Sequence, residues 1–198
     1  MSSFFKQKKM RREDYYYYNF FLKYENPDCY IRMQQGRKPK YSDIDIKGQN
    51  GFDFGTSTED VIRTKGKPLS QKKSKVISDF SAMLYSSSIN GYRIDMEYHF
   101  YNEKLFLIVD VFKNLNATEN VKIIDTIQKK YLNEKIKDIT DVKIIDADEN
   151  ILLIDNLFEL RVNYMCLNTT ISNEILDLNK AMFAKSKRIE NCEFIGLL

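Results

Sequence analysis

The fold is decided by residues 92–112, which read YRIDMEYHFYNEKLFLIVDVF. In the first half, polar and apolar side chains alternate, with Ile94, Met96, Tyr98 and Phe100 on one side and Arg93, Asp95, Glu97 and His99 on the other. This period of two is typical of an antiparallel strand that has one buried and one solvated face. Asn102-Glu103-Lys104 predicts a tight turn into a nearly continuous apolar strand over 105–112. We therefore expect a β-hairpin here, with His99 on its solvated face.

Upstream of this hairpin, turn and capping signals predict a third strand and a short helix. Residues 80–89 predict the strand, because Asn90-Gly91 is a pair favoured in two-residue hairpin turns. Residues 57–65 predict the helix, with Thr56 as its cap and Glu59 reaching back to it. Gly66 and Pro68 end that helix. Three strands joined by short turns make a meander.

Downstream, the pattern repeats as helix, strands and helix. Thr118 predicts the cap of a second helix, whose apolar residues recur at helical spacing. A hairpin follows over 142–154, turning at Asp148-Glu149-Asn150, and then a strand over 158–167. The last helix is expected near 172–187, with an apolar stripe formed by Ile171, Ile175, Leu178 and Met182. The order helix, three strands, helix, three strands, helix predicts an α+β fold: an antiparallel sheet of about six strands with helices packed on one face.

The first 50 residues form a basic, aromatic N-terminal extension to this α+β domain, which covers residues 51–198. Residues 1–75 contain 17 Lys and Arg against 9 Asp and Glu, whereas residues 76–198 contain 14 against 19. Residues 10–24 fit a helix or a strand, and the polar stretch 34–50 is predicted to be a loop or linker. Such a basic segment binds nucleic acid, an acidic partner or its own acidic domain. The candidate phosphate- and base-contacting residues are Lys6, Lys8, Lys9, Arg11, Arg12 and Tyr15.

Residues 55–62, GTSTEDVI, and the exit Gly66-Lys67-Pro68 resemble the helix entry of small outer-membrane-assembly lipoproteins and β-lactamase-inhibitor-like domains. Those domains have a Gly-x-Thr/Ser start, a Glu-x-Val-Ile core and a Gly-x-Pro exit before a sheet meander. Residues 51–135 also look like uncharacterised proteins of low-GC bacteria. The resemblance implies a bacterial, non-catalytic binding scaffold. Since no lipid-bearing Cys lies near the start, membrane anchoring is not expected. The element order also resembles that of the secretion-chaperone fold, whose members bind proteins.

Catalytic and metal-binding patterns are weak. His99 is the one histidine, and it is interpreted as a surface strand residue rather than a general base. Residues 146–150, DADEN, begin like a calcium loop, but Ile151 stands where that loop needs Gly and Leu157 where it needs Glu. We interpret this stretch as a polar hairpin turn. The patterns GxGxxG and GxxxxGK[ST] are both missing from the sequence. No cofactor or metal is therefore expected.

The leading hypothesis is a non-enzymatic protein-binding module, such as an adaptor, an immunity or inhibitor protein, or a chaperone-like protein. Its expected partner is another protein, which it contacts through an exposed aromatic surface formed by Tyr98, Phe100 and Tyr101. The alternatives are nucleic-acid binding through the basic arm and an enzyme of unrecognised type. Three widely spaced Cys residues and the lack of an apolar leader or membrane-length run predict a cytoplasmic protein with no membrane partner.

Overall fold

The computed structural model describes residues 20–26, 28–48, 51–75, 77, 79–166, 171, 173–175, 177–178 and 180–181. The described strands are β1 Lys38–Tyr41, β2 Ser70–Lys73, β3 Phe80–Ile89, β4 Tyr92–Tyr101, β5 Lys104–Lys113, β6 Val142–Ile145, β7 Ile151–Asn156 and β8 Leu160–Met165. The α-helices are α1 Asp28–Arg32, α2 Thr58–Lys65 and α3 Ala117–Tyr131, with 3-10 helices at Leu22–Tyr24 and Ile139–Asp141. Residues 171, 173–175, 177–178 and 180–181 are also helical.

The fold is α+β, with one mostly antiparallel sheet of eight described strands in the order β1-β6-β7-β8-β5-β4-β3-β2. The predicted meander is confirmed as β3, β4 and β5. Asn90 and Gly91 both have positive φ angles, 51° and 84°, which is the backbone that a two-residue hairpin turn requires. Asn102 and Glu103, at 47° and 61°, make the second turn in the same way. The β6–β7 and β7–β8 hairpins complete the antiparallel part of the sheet.

Two helix caps differ from the predicted ones. Ser57, rather than Thr56, caps α2, because its hydroxyl accepts a hydrogen bond from the Asp60 amide. Asn116, rather than Thr118, caps α3 and forms a capping box with Glu119. In each case the cap lies two residues or fewer from the predicted one, because a neighbouring polar side chain makes the same hydrogen bond.

Two edge strands were not expected from the sequence. β1 lies within the stretch predicted to be a linker and pairs in parallel with β6. β2 pairs with β3 at the other edge of the sheet. Their sequences, KPKY and SQKK, lack apolar alternation. The sheet therefore has eight strands among the described residues, rather than about six.

Helices cover both faces of the sheet, so the prediction of helices on one face is wrong. On the first face, α2 and α3 pack against Tyr98, Phe100 and the other apolar residues of β4. On the second face, Phe20, Phe21, Tyr24 and Tyr30 pack beside Phe106 and Val109 of β5. Ile171, Ile175 and Leu178 of the predicted stripe pack on this second face, and Met182 lies outside the described residues. The second face is buried in part because residues 20–26 and 28–32 lie over it, beside β4 and β5. No helix in the described residues combines the length and apolarity needed to cross a membrane.

Candidate functional site

The polar side of β4 is buried instead of solvated. Asp95, Glu97 and His99 are all almost fully inaccessible, so the prediction that His99 is a surface residue is wrong. Aromatic side chains surround the His99 ring, with centroid distances of 4.2 Å to Tyr24 and 5.8 Å to Phe21. The alternation of β4 was predicted correctly, but the second face is covered by the segment that includes these aromatic residues.

Glu97 is the centre of a buried hydrogen-bond and ion-pair network. The Tyr24 hydroxyl donates to its Oε2 atom at 2.7 Å, and His99 Nε2 lies 3.4 Å from the same oxygen. Lys23 Nζ and Arg161 Nη1 lie 3.5 and 3.6 Å from Oε1. A buried carboxylate needs such partners, because removing it from water without them costs several kcal/mol. The network joins the N-terminal segment to β4 and β8.

The charge states of the two central groups follow from these contacts. Burial raises the pKa of Glu97, but the His99 hydrogen bond and the charges of Lys23 and Arg161 outweigh it and hold that pKa well below its ordinary value. Burial lowers the pKa of His99, against the opposing effect of Glu97. Glu97 is therefore anionic and His99 neutral at neutral pH. Since a carboxylate only accepts, the His99 proton is on Nε2, and its Nδ1 atom has no hydrogen-bond partner among the described residues.

An open cleft of about 570 Å³ lies beside this network, between the N-terminal segment and the β7–β8 hairpin. We call it the hairpin cleft; it is lined by Lys23, Tyr24, Cys29, Met33, Asp155, Leu157, Phe158, Glu159, Arg161 and Asn163. Leu157 is 90% exposed and Phe158 is 100% exposed, at the turn of the hairpin. Adjacent exposed apolar side chains with polar neighbours are a feature of protein interaction surfaces.

The carboxylates at the hairpin cleft, Asp155 and Glu159, are neutralised by Arg37, which precedes β1, and by Lys113 at the end of β5. Arg37 forms an ion pair with Asp155, whose other oxygen accepts from Asn163 Nδ2 at 2.9 Å. Lys113 donates to both oxygens of Glu159, at 2.9 and 3.1 Å, and lies 3.6 Å from Asp95. These ion pairs add to the strand pairing that holds β7 and β8 within the sheet, so the exposed turn residues project from a well-anchored element.

The hairpin cleft does not have the geometry of a nucleophilic active site. Cys29 lines it, but burial raises the pKa of this thiol to about 12, so the reactive thiolate is scarce at neutral pH. His99 is enclosed by aromatic rings and is not one of the residues that line the cleft. Within the described ranges, no group of three or more His, Cys, Asp or Glu residues is placed to hold a metal ion. The hairpin cleft is therefore better suited to binding another molecule than to catalysis.

The calcium-loop-like stretch is a hairpin turn, as interpreted from the sequence. Both oxygens of Asp146 accept hydrogen bonds from within the protein. Oδ1 accepts from the Asp148 and Asn150 amides at 3.0 and 2.8 Å, and Oδ2 accepts from the Ile46 amide at 2.7 Å. Asp146 therefore ties the β6–β7 turn to the segment that follows β1.

The aromatic surface predicted on β4 is not exposed. Tyr98 and Phe100 are fully buried in the first face of the sheet, so the prediction that they form an exposed interface is wrong. Tyr101 is half-buried and packs on Phe80 with ring centroids 4.8 Å apart. The predicted nucleic-acid contacts, Lys6, Lys8, Lys9, Arg11, Arg12 and Tyr15, lie outside the described residues. The exposed apolar pair in the β7–β8 turn was not identified, because the strand was predicted to begin at Phe158.

Comparison of the chain with protein-family models, with curated proteins and with solved structures found no significant match. The resemblance to β-lactamase-inhibitor-like domains and outer-membrane-assembly lipoproteins therefore stays a prediction.

Proposed function

We propose that this chain is a non-enzymatic protein-binding module that contacts its partner through the hairpin cleft. The observation that carries the proposal is the exposure of Leu157 and Phe158, at 90% and 100%, in the turn of an anchored hairpin. Burying one such side chain against a partner contributes about 1.5–3 kcal/mol. An aromatic anchor with a polar rim is the usual arrangement at the centre of a protein interface.

Charged residues that line the cleft supply the polar surroundings of this apolar pair. Lys23 and Arg161 approach Glu97 from the cleft side, and Glu159 is paired with Lys113. Because each of these charges already has a counter-ion, a partner can cover them without leaving a buried charge unpaired. Such a surface supports binding of a neutral, largely apolar segment of another protein at the turn, with its polar groups over the paired charges.

The enzyme alternative has less support. It needs a histidine or an activated thiol in an accessible pocket, whereas His99 is enclosed and the Cys29 thiol stays protonated at neutral pH. The nucleic-acid alternative depends on residues 6–15 and stays a prediction. From the sequence we also propose that the protein is bacterial and cytoplasmic.

Site-specific photo-crosslinking tests the proposed surface. A photo-reactive phenylalanine analogue is placed at position 158, and at position 121 as the control, since Val121 is also exposed but lies on α3. We expect position 158 to capture one protein in stoichiometric yield from a native extract, and position 121 to capture none. A Leu157→Asp substitution should abolish that capture. The same set of proteins captured from both positions, or capture that survives Leu157→Asp, would refute the proposal.

A further inference from the structure

A second concave surface lies on the first face of the sheet, between α3 and the β3–β4 hairpin. This α3 groove has a volume of about 500 Å³. Its floor is formed by Ile94 and Phe112, which are almost fully buried, and one wall is formed by Ile123 and Ile127 of α3, which are half-buried. The helix therefore covers this part of the core incompletely and leaves an apolar channel open to solvent.

The opposite wall of the groove is apolar, whereas its rim is positively charged. Ile89 and Tyr92, on either side of the Asn90-Gly91 turn, supply a half-buried apolar wall. Lys122 and Lys130 are exposed on α3 at the rim, and none of the described residues that line the groove is acidic. The groove thus combines an apolar interior with positive charge at its edge.

The two rim lysines also differ from the lysines at and beside the hairpin cleft. Lys23, which lines the hairpin cleft, is paired with Glu97, and Lys113, which lies outside the lining, is paired with the cleft residue Glu159. Within the described residues, neither Lys122 nor Lys130 forms an ion pair; Lys130 Nζ donates to the neutral Tyr131 hydroxyl at 2.9 Å. None of the described residues therefore neutralises their positive charge, and an anion at the rim would pair with it.

We propose that the α3 groove binds a single-chain anionic amphiphile, a long-chain fatty acid carboxylate, with its acyl chain on Ile94 and Phe112 and its carboxylate at the rim that carries Lys122 and Lys130. A concave apolar volume of this size lies within the range of about 300–1,000 Å³ that small-molecule sites occupy. The uncompensated lysines select an anion over a neutral chain. The site is separate from the hairpin cleft, which lies on the other face of the sheet.

Calorimetric titration of the full chain with dodecanoate and tetradecanoate tests this proposal. Each methylene buried in the groove should tighten binding about fourfold. Dodecanol, which has the same chain without the charge, should bind roughly tenfold more weakly, and added salt should reduce the affinity of the carboxylates. The double variant Lys122→Glu, Lys130→Glu should weaken dodecanoate binding at least about tenfold.

Lys129→Glu is the matched control, since Lys129 is exposed on the same helix turn as Lys130 but does not line the groove. It should change the affinity less than about twofold. An acidic amphipathic helical peptide serves as the competing probe. No saturable binding of tetradecanoate, equal affinity for dodecanol and dodecanoate, or a double variant that binds like the wild type would overturn the proposal. So would lysine-dependent binding of the peptide without binding of the fatty acid, which would indicate a protein partner instead.

Discussion

Replacing Asp110 with asparagine should remove a pH-dependent loss of stability. Asp110 lies on β5, opposite Met96 of β4 and Val162 of β8, and its side chain is fully buried. Neither carboxylate oxygen has a hydrogen-bond partner in the part of the chain that the structure describes. Burial, opposed by the charge of Lys65, raises the pKa of Asp110 from 3.8 to about 7. This carboxyl is therefore protonated in the folded protein at mildly acidic pH.

The sign of the effect follows from proton binding in the two states. Between pH 3.8 and about 7 the folded protein holds a proton on Asp110 that the unfolded chain has released. The free energy of unfolding therefore falls as pH rises through this window, by at most about 1.4 kcal/mol per pH unit. For these two pKa values the loss between pH 5 and pH 8 is about 2.5 kcal/mol.

Urea unfolding at both pH values, followed by circular dichroism, measures this loss. Asparagine keeps the shape of the side chain and does not ionise. Relative to the wild type, Asp110→Asn should therefore gain about 2.5 kcal/mol of stability on going from pH 5 to pH 8. Asp148→Asn, a change at an exposed residue of the β6–β7 turn, is the control and should show no such gain. A difference between wild type and Asp110→Asn that stays constant with pH would refute the reasoning.

Three further substitutions test the described contacts by equilibrium unfolding. Tyr24→Phe removes the 2.7 Å hydrogen bond to Glu97 and should cost about 1.5–3 kcal/mol, whereas Tyr41→Phe, at an exposed position, should cost nothing measurable; equal costs would contradict the network. Asn116→Ala should cost about 1 kcal/mol and Thr118→Ala less than about 0.5 kcal/mol, and the reverse ranking would restore Thr118 as the cap. Gly48→Ala places a Cβ atom against the terminal Cδ1 atom of Ile108, which must shift, so the substitution should cost about 0.5–1.5 kcal/mol, with a smaller cost in an Ile108→Val background; additive costs would show that the two residues do not clash.

The parts of the fold set by local chemistry were predictable from the sequence. The Asn90-Gly91 turn, the Gly66 helix end and the apolar spacing of α3 depend on residues close in sequence, and each is present in the structure. β1 and β2 were missed because their strand conformation comes from pairing with β6 and β3 rather than from their own residues. No local pattern in KPKY or SQKK indicates the strand with which each of them pairs.

The candidate site depended on contacts that are distant in sequence. The alternation in β4 identified two faces but could not show whether the polar face meets water or another segment. Tyr24 reaches Glu97 across 73 residues, and this contact converts an apparently solvated histidine and carboxylate into a buried pair. The exposure of Phe158 had no sequence signal either, because an apolar residue next to a strand is normally interpreted as part of that strand.

The dissociation constant of the partner captured at position 158 is the most direct test of the proposed function. Titration calorimetry would compare the wild type with Phe158→Ala and with the exposed control Val121→Ala. An aromatic residue at the centre of an interface contributes at least about 2 kcal/mol, so Phe158→Ala should weaken binding about thirtyfold or more. Val121→Ala should leave the constant within about twofold. Equal affinities of the wild type and Phe158→Ala would contradict the assignment of the hairpin cleft as the binding surface.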